Sequence, residues 1–165
     1  MGYRIIDINQ MPQAEFVAAL GGVFEATPSI AEQVWCQRPF EDLSQLHQAM
    51  VTIVEQLPEA SQLALIRAHP DLGSRVQMAS ASVKEQASVG LDRLSPSEYE
   101  QFQQLNATYQ AKFGFPFIMA VTGQRKETIL AVFAQRVCND PVNERQQALL
   151  EIGKIARFRL DMLFA

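Results

Sequence analysis

The 165-residue chain has two histidines, and only one stands where a proton-transfer group is useful. His69 lies in Ala68-His69-Pro70-Asp71-Leu72-Gly73, at the end of a helical pattern. Pro70 disfavours helical geometry for His69 and fixes the direction in which the chain leaves. An imidazole held this way, with an ordinary pKa near neutrality, suits general acid–base chemistry. The competing reading is a C-terminal histidine that merely interacts with its helix dipole. His47 sits about 100° from Leu46 on its helix, at the edge of an apolar stripe, and reads as a boundary residue without function.

Three further groups carry possible chemistry. Taking Ile152 as zero, Arg159 falls near about −20°, between Ala156 near about 40° and the edge of the apolar stripe, while Leu163 lies near about 20°. Arg159 thus projects from the apolar face of the last helix and demands an internal carboxylate or an anionic ligand. Arg157, near about 140°, points the other way as a solvated charge. Ser82-x-x-Glu85 opens a helical stretch and reads as a capping box, a role compatible with holding polar groups at a helix N-terminus. The segment Gly114-Phe115-Pro116-Phe117-Ile118-Met119-Ala120 is an apolar loop. Its backbone groups need partners, and a polar ligand is one way to supply them.

Helices must position these groups. Leu43, Leu46, Met50, Ile53 and Leu57 form one stripe, and Tyr99, Phe102, Leu105, Tyr109 and Phe113 another. The second has Ser95 as N-cap, Pro96 in the first turn, Glu98 closing a capping box and Gly114 past the end. Ile129, Phe133 and Val137 mark a helix closed by Asn139-Asp140-Pro141, where a long final helix starts. Shorter helices are expected over 12–20, 28–37 and 59–68. Residues 69–79 and 114–121 resist the pattern. No alternating run supports a sheet. The expectation is an all-α protein, one compact domain over 1–165 of about eight helices.

Composition narrows the function. Apolar residues make up 48%, ordinary for a globular chain. A net charge of −4 argues against nucleic-acid binding, which needs clustered Lys and Arg. No run approaches the ~18 apolar residues of a membrane span. Asp7 comes too early for a secretory signal, and Cys36 and Cys138 read as reduced thiols, so a cytoplasmic protein is expected. Neither zinc spacing, a phosphate loop nor a GxSxG elbow is present.

Four blocks, in order, resemble the 2-oxo-4-hydroxy-4-carboxy-5-ureidoimidazoline (OHCU) decarboxylase family. They are Ala68-His69-Pro70-Asp71-Leu72-Gly73; Ser82-x-x-Glu85-Gln86 leading to Gly90-Leu91; Leu105-Asn106-x-x-Tyr109-x-x-x-Phe113-Gly114-Phe115-Pro116-Phe117-Ile118; and Ile155-Ala156-x-x-Arg159-Leu160. Arg38-Pro39-Phe40 also fits. The resemblance implies an all-helical fold, a homodimer, and a decarboxylation to (S)-allantoin that needs no metal or cofactor. It implies His69 as the proton-handling group and Glu85 as its orienting partner or a ligand of substrate nitrogens. Ser82 and Gln86 would hold polar edges of the substrate, Pro70 would pack on its ring, Arg159 would hold an oxygen, and the backbone of Phe117 and Ile118 would supply hydrogen bonds. Two other readings stand beside it: a metal-dependent hydrolase using His69 and Asp71, and a helical interaction module without chemistry.

Overall fold

A computed structural model describes residues 2–74 and 77–165. Part of the irregular segment expected over 69–79 therefore lies outside the described residues. Among those described, the chain forms nine helices and no strand. They are α1 (Ile5–Gln10), α2 (Gln13–Leu20), α3 (Ser29–Trp35), α4 (Leu43–Gln56), α5 (Glu59–Arg67), α6 (Ser80–Ser88), α7 (Pro96–Phe113), α8 (Lys126–Arg136) and α9 (Pro141–Phe164). The all-α expectation holds, with one helix more than the eight read from periodicity. The extra one is α1, whose six residues are too few to show a repeat.

The chain divides into two compact units, Met1–Leu65 with Gly153–Ala165, and Ile66–Ile152. In the first, α2 packs on α3 and α3 on α4. Its core is drawn from the expected stripe residues Leu46, Met50 and Ile53, together with Ile8, Phe16, Leu20, Ile30 and Val34. His47 is half-buried, and its Nε2 donates to the Gly153 carbonyl at 2.8 Å. The boundary histidine thus fastens α4 to α9.

In the second unit, α7 packs on α8. Its capping box forms as its residue types dictate: Ser95 Oγ accepts from the Glu98 N–H, while Glu98 accepts from the Ser95 N–H. Gly114 ends it at φ 73°, a left-handed conformation that glycine adopts without strain. Phe102, Asn106 and Tyr109 recur at three- and four-residue spacing on the buried face. Lys126 joins the start of α8 to Glu98 at 2.8 Å.

Candidate active site

His69 follows α5 directly, its N–H donating to Ile66 at 3.2 Å, and its side chain is buried. Arg67, at the end of the same helix, donates from Nε to the Gly114 carbonyl at 3.0 Å. The His69 loop and the apolar loop after α7 are therefore tied together where each begins.

Carboxamides hold the His69 loop. Gln86 of α6 accepts from the Gly73 N–H at 3.0 Å and donates to the Asp71 carbonyl at 3.5 Å. Asn106 of α7 donates to the Leu72 carbonyl at 2.9 Å, and Gln110 to the Asp71 carboxylate at 2.7 Å. Gly73 is required here on two counts. Its φ is +68°, and an added Cβ would meet Leu94 at 2.8 Å and Phe102 at 3.3 Å. Proline blocks helix continuation at 70, and the Asp71 and Leu72 carbonyls and the Gly73 N–H then find neutral partners.

The capping box expected at Ser82 and Glu85 does not form. Helix α6 starts three residues earlier than such a box requires, with Ala79 as N-cap and no side-chain cap bond. Ser82, Glu85 and Gln86 consequently sit at i, i+3 and i+4 within the helix, on one face. Ser82 and Gln86 are buried and Glu85 half-buried, whereas Val83 and Lys84 are exposed. Ser82 and Glu85 thus belong to a polar face of α6 rather than to its cap.

The apolar loop is buried over Phe115 to Ile118 and again at Ala120 and Val121. Its anchors were not visible in the sequence pattern. Arg136 of α8 donates from Nη1 to the Ile118 carbonyl at 2.6 Å, and its guanidinium lies 4.5 Å from the Phe117 ring centroid. Glu144 of α9, fully buried, accepts from Arg136 Nε at 2.8 Å and Nη2 at 2.5 Å, and also from Tyr109 Oη and from Asn139 at 2.7 Å. Burial, reinforced by the Glu144 carboxylate, pushes the Tyr109 phenol far above its usual range. It therefore stays a donor at neutral pH. Phe117 stacks on Phe133 at 3.9 Å and meets Tyr109 in a T-shaped contact at 5.4 Å. Farther on, the Ala120 N–H donates to Glu151 at 2.8 Å. A signal was available in retrospect: Tyr109 and Phe133 were assigned to apolar stripes, and a stripe tyrosine needs a hydroxyl partner.

The second unit thus contains His69 and Pro70 on the loop after α5, Ser82, Glu85 and Gln86 on α6, and Phe117 and Ile118 on the loop between α7 and α8. Arg159 belongs to the first unit. As its wheel position requires, it is buried, and it pairs with Glu25 at 2.9 Å. Its Nη1 also lies 3.4 Å from the carbonyls of Gly22 and Val23. Arg157 is half-exposed, paired with Asp161 at 2.9 Å and touching Ser44. Among the described residues no group of three or more His, Cys, Asp or Glu side chains is arranged to hold a metal, and Asp71 serves its own loop through Gln110.

A family model described as OHCU decarboxylase matches residues 9–161. The chain is 46% identical to the 2-oxo-4-hydroxy-4-carboxy-5-ureidoimidazoline decarboxylase of Halalkalicoccus jeotgali, over 95% of this chain and 89% of that protein. The chain belongs to the OHCU decarboxylase family. The mouse member is 36% identical over 98% of this chain and 93% of its own. Among solved structures, a crystal structure of (S)-allantoin synthase superposes with a TM-score of 0.82 at 32% identity. This chain is covered to 98% there but spans only 54% of that longer one. A crystal structure of an OHCU decarboxylase in the presence of (S)-allantoin has a TM-score of 0.72 at 24% identity, covering 93% and 99% of the two chains, and shows the same fold. The decarboxylase family is thus matched across both compact units.

Proposed function

We propose that this chain decarboxylates 2-oxo-4-hydroxy-4-carboxy-5-ureidoimidazoline to (S)-allantoin and CO2, a step of urate breakdown. It is a carboxy-lyase acting on a small molecule. The observation that carries the reading is the family match over residues 9–161, with His69 buried beside a carboxamide-braced loop.

The substrate has a hydroxyl and a carboxylate on one ring carbon, next to a ring C=N bond. As the C–C bond to the carboxylate breaks, its electron pair forms a C=C bond. The C=N pair then moves to nitrogen, which takes up a proton. The remaining enol loses its hydroxyl proton, and the neighbouring carbon gains one on a single face. The substrate is its own electron sink, so the proposal needs no metal or cofactor. The protein must handle protons, orient the carboxylate and keep water from the wrong face.

In this reading His69 moves the proton at the hydroxyl side, and Glu85 orients His69 or binds ring nitrogens. Ser82 meets polar edges of the ring and ureido group. Gln86 joins it there only as far as its grip on Asp71 and Gly73 allows, so bracing the loop is its first task. Pro70 packs on the ring. The N–H groups of Phe117 and Ile118 have no protein acceptor among the described residues and donate to the substrate, while the Ile118 carbonyl is committed to Arg136. For Arg159 the proposal carries over the oxygen-holding role implied by the family resemblance. Residues 1–165 would act as one functional domain, in a homodimer, as the same resemblance implies. The exposed free thiols of Cys36 and Cys138 suit a reducing compartment, and we assign the enzyme to the cytoplasm. Among the described residues no helix is long and apolar enough to cross a membrane.

The test generates the unstable substrate in situ from urate and follows optically active allantoin by circular dichroism. Wild-type protein should accelerate its appearance, and His69→Asn should remove most of that acceleration, on the order of a hundred-fold or more. Folded wild-type protein that leaves the spontaneous rate unchanged would refute the assignment.

A further inference from the structure

The Tyr109–Glu144–Arg136 cluster is more elaborate than the fold alone explains. A carboxylate with no exposed surface takes four donor contacts from three residues on three segments. Such a pair is costly to desolvate and is often no more stabilising than an apolar replacement. The forked guanidinium's third arm reaches outside the cluster and donates to the Ile118 carbonyl at 2.6 Å.

We propose that Arg136 is a positioning residue for the decarboxylation, setting the orientation of the Ile118–Met119 peptide, with Glu144 and Tyr109 fixing Arg136 in turn. The peptide is planar and trans, because the one cis bond among the described residues is Arg38–Pro39. Turning the Ile118 carbonyl onto Arg136 therefore turns the Met119 N–H the opposite way. Glu151 acts likewise on the next peptide: it takes the Ala120 N–H at 2.8 Å, which directs the Met119 carbonyl away from it. Neither Met119 group has a protein partner among the described residues, and Met119 is half-buried. Two buried charged residues thus orient one donor and one acceptor on the loop assigned to substrate, the pairing that an amide edge of a ureido ring offers in complement. Arg136 also lies over Phe117, whose ring is sandwiched against Phe133, so the guanidinium fixes both the side chain and the following peptide of the loop.

The inference rests on the decarboxylase reading, and its test separates the two. Arg136→Lys keeps the charge but loses the fork; Arg136→Met loses both; Tyr109→Phe removes one hydroxyl and keeps the ring. Each is assayed well below its melting temperature, with (S)-allantoin binding measured by calorimetry alongside. For Arg136→Lys we expect kcat/KM to fall on the order of ten-fold or more. KM should rise, allantoin binding weaken and the optical purity of the product drop. Arg136→Met should do worse, and Tyr109→Phe should shift the same quantities by about two- to five-fold. His69→Asn should keep allantoin binding while losing turnover. If wild-type protein is active and Arg136→Lys and Tyr109→Phe match it in KM, binding and optical purity, whatever their melting temperatures, Arg136 is only structural and the inference falls. If Arg136→Met does not fold, the other two variants decide. An inactive wild type overturns the decarboxylase reading instead.

Discussion

The two loops that carry the site residues are held by opposite chemistries. The loop after α5 is pinned by neutral carboxamides from Gln86, Asn106 and Gln110 and by a left-handed glycine. The loop after α7 is pinned by a buried guanidinium–carboxylate pair and a stack of aromatic rings. Helix α7 serves both, Asn106 facing the first and Tyr109, one turn later, the second. The difference follows from what each loop must hold. In the first loop the groups to be held are backbone N–H and C=O groups at a tight turn, and one carboxamide can meet both, as Gln86 does. The apolar loop contains no ionisable group, so a charged anchor disturbs nothing there.

The sharpest way to break the comparison is to remove Glu144. Glu144→Ala leaves Arg136 buried without its carboxylate and the Tyr109 and Asn139 donors without their acceptor. The expected cost is about 3–5 kcal/mol, read from the urea midpoint. An Arg136→Met, Glu144→Leu double variant should recover much of that stability, because no lone charge remains. If the single and double variants are equally unstable, the cluster is not held by ionic pairing.

In the other loop the largest response should come from Gly73→Ala. A left-handed φ of +68° and the approach of Leu94 and Phe102 act together, for an expected loss of about 1–3 kcal/mol. Activity should fall further than stability alone accounts for, because the same peptide segment carries His69. A variant as stable and active as wild type would show that the loop has slack.

How much of this was legible depended on distance along the chain. The His69 loop announced itself through Pro70 and Gly73, because helix termination and a positive φ are local demands that residue type records. Arg159 was legible as buried for the same reason: a charge on an apolar helix face is a local anomaly, and Glu25 answers it. The pattern sets the cap of α6 three residues late, since Ser82-x-x-Glu85 imitates a cap that the chain does not use. Arg136 and Glu144 stayed invisible. Glu144 follows Pro141 closely, where an acidic residue in a first helical turn is ordinary. Nothing short-range says that Arg136, 18 residues beyond Ile118, points back at that carbonyl.

The smallest effect tests the neutral anchor itself. Asn106 is buried; its Nδ2 holds the Leu72 carbonyl, while its Oδ1 meets no hydrogen-bond donor among the described residues. Asn106→Ala has two opposed consequences. It strips a buried carbonyl of its donor, which costs about 1–3 kcal/mol, and it also deletes a buried acceptor that was already unmatched. The second term offsets part of the first, so a net loss of about 1 kcal/mol is expected in chemical denaturation. Asn106→Asp separates the terms, since it removes the donor but retains a buried oxygen and adds a charge that must be desolvated. It should be clearly less stable than Asn106→Ala. An alanine variant that loses as much as the aspartate variant would mean that Oδ1 is matched after all, and that the neutral loop, like the ionic one, has every polar atom of its anchor engaged.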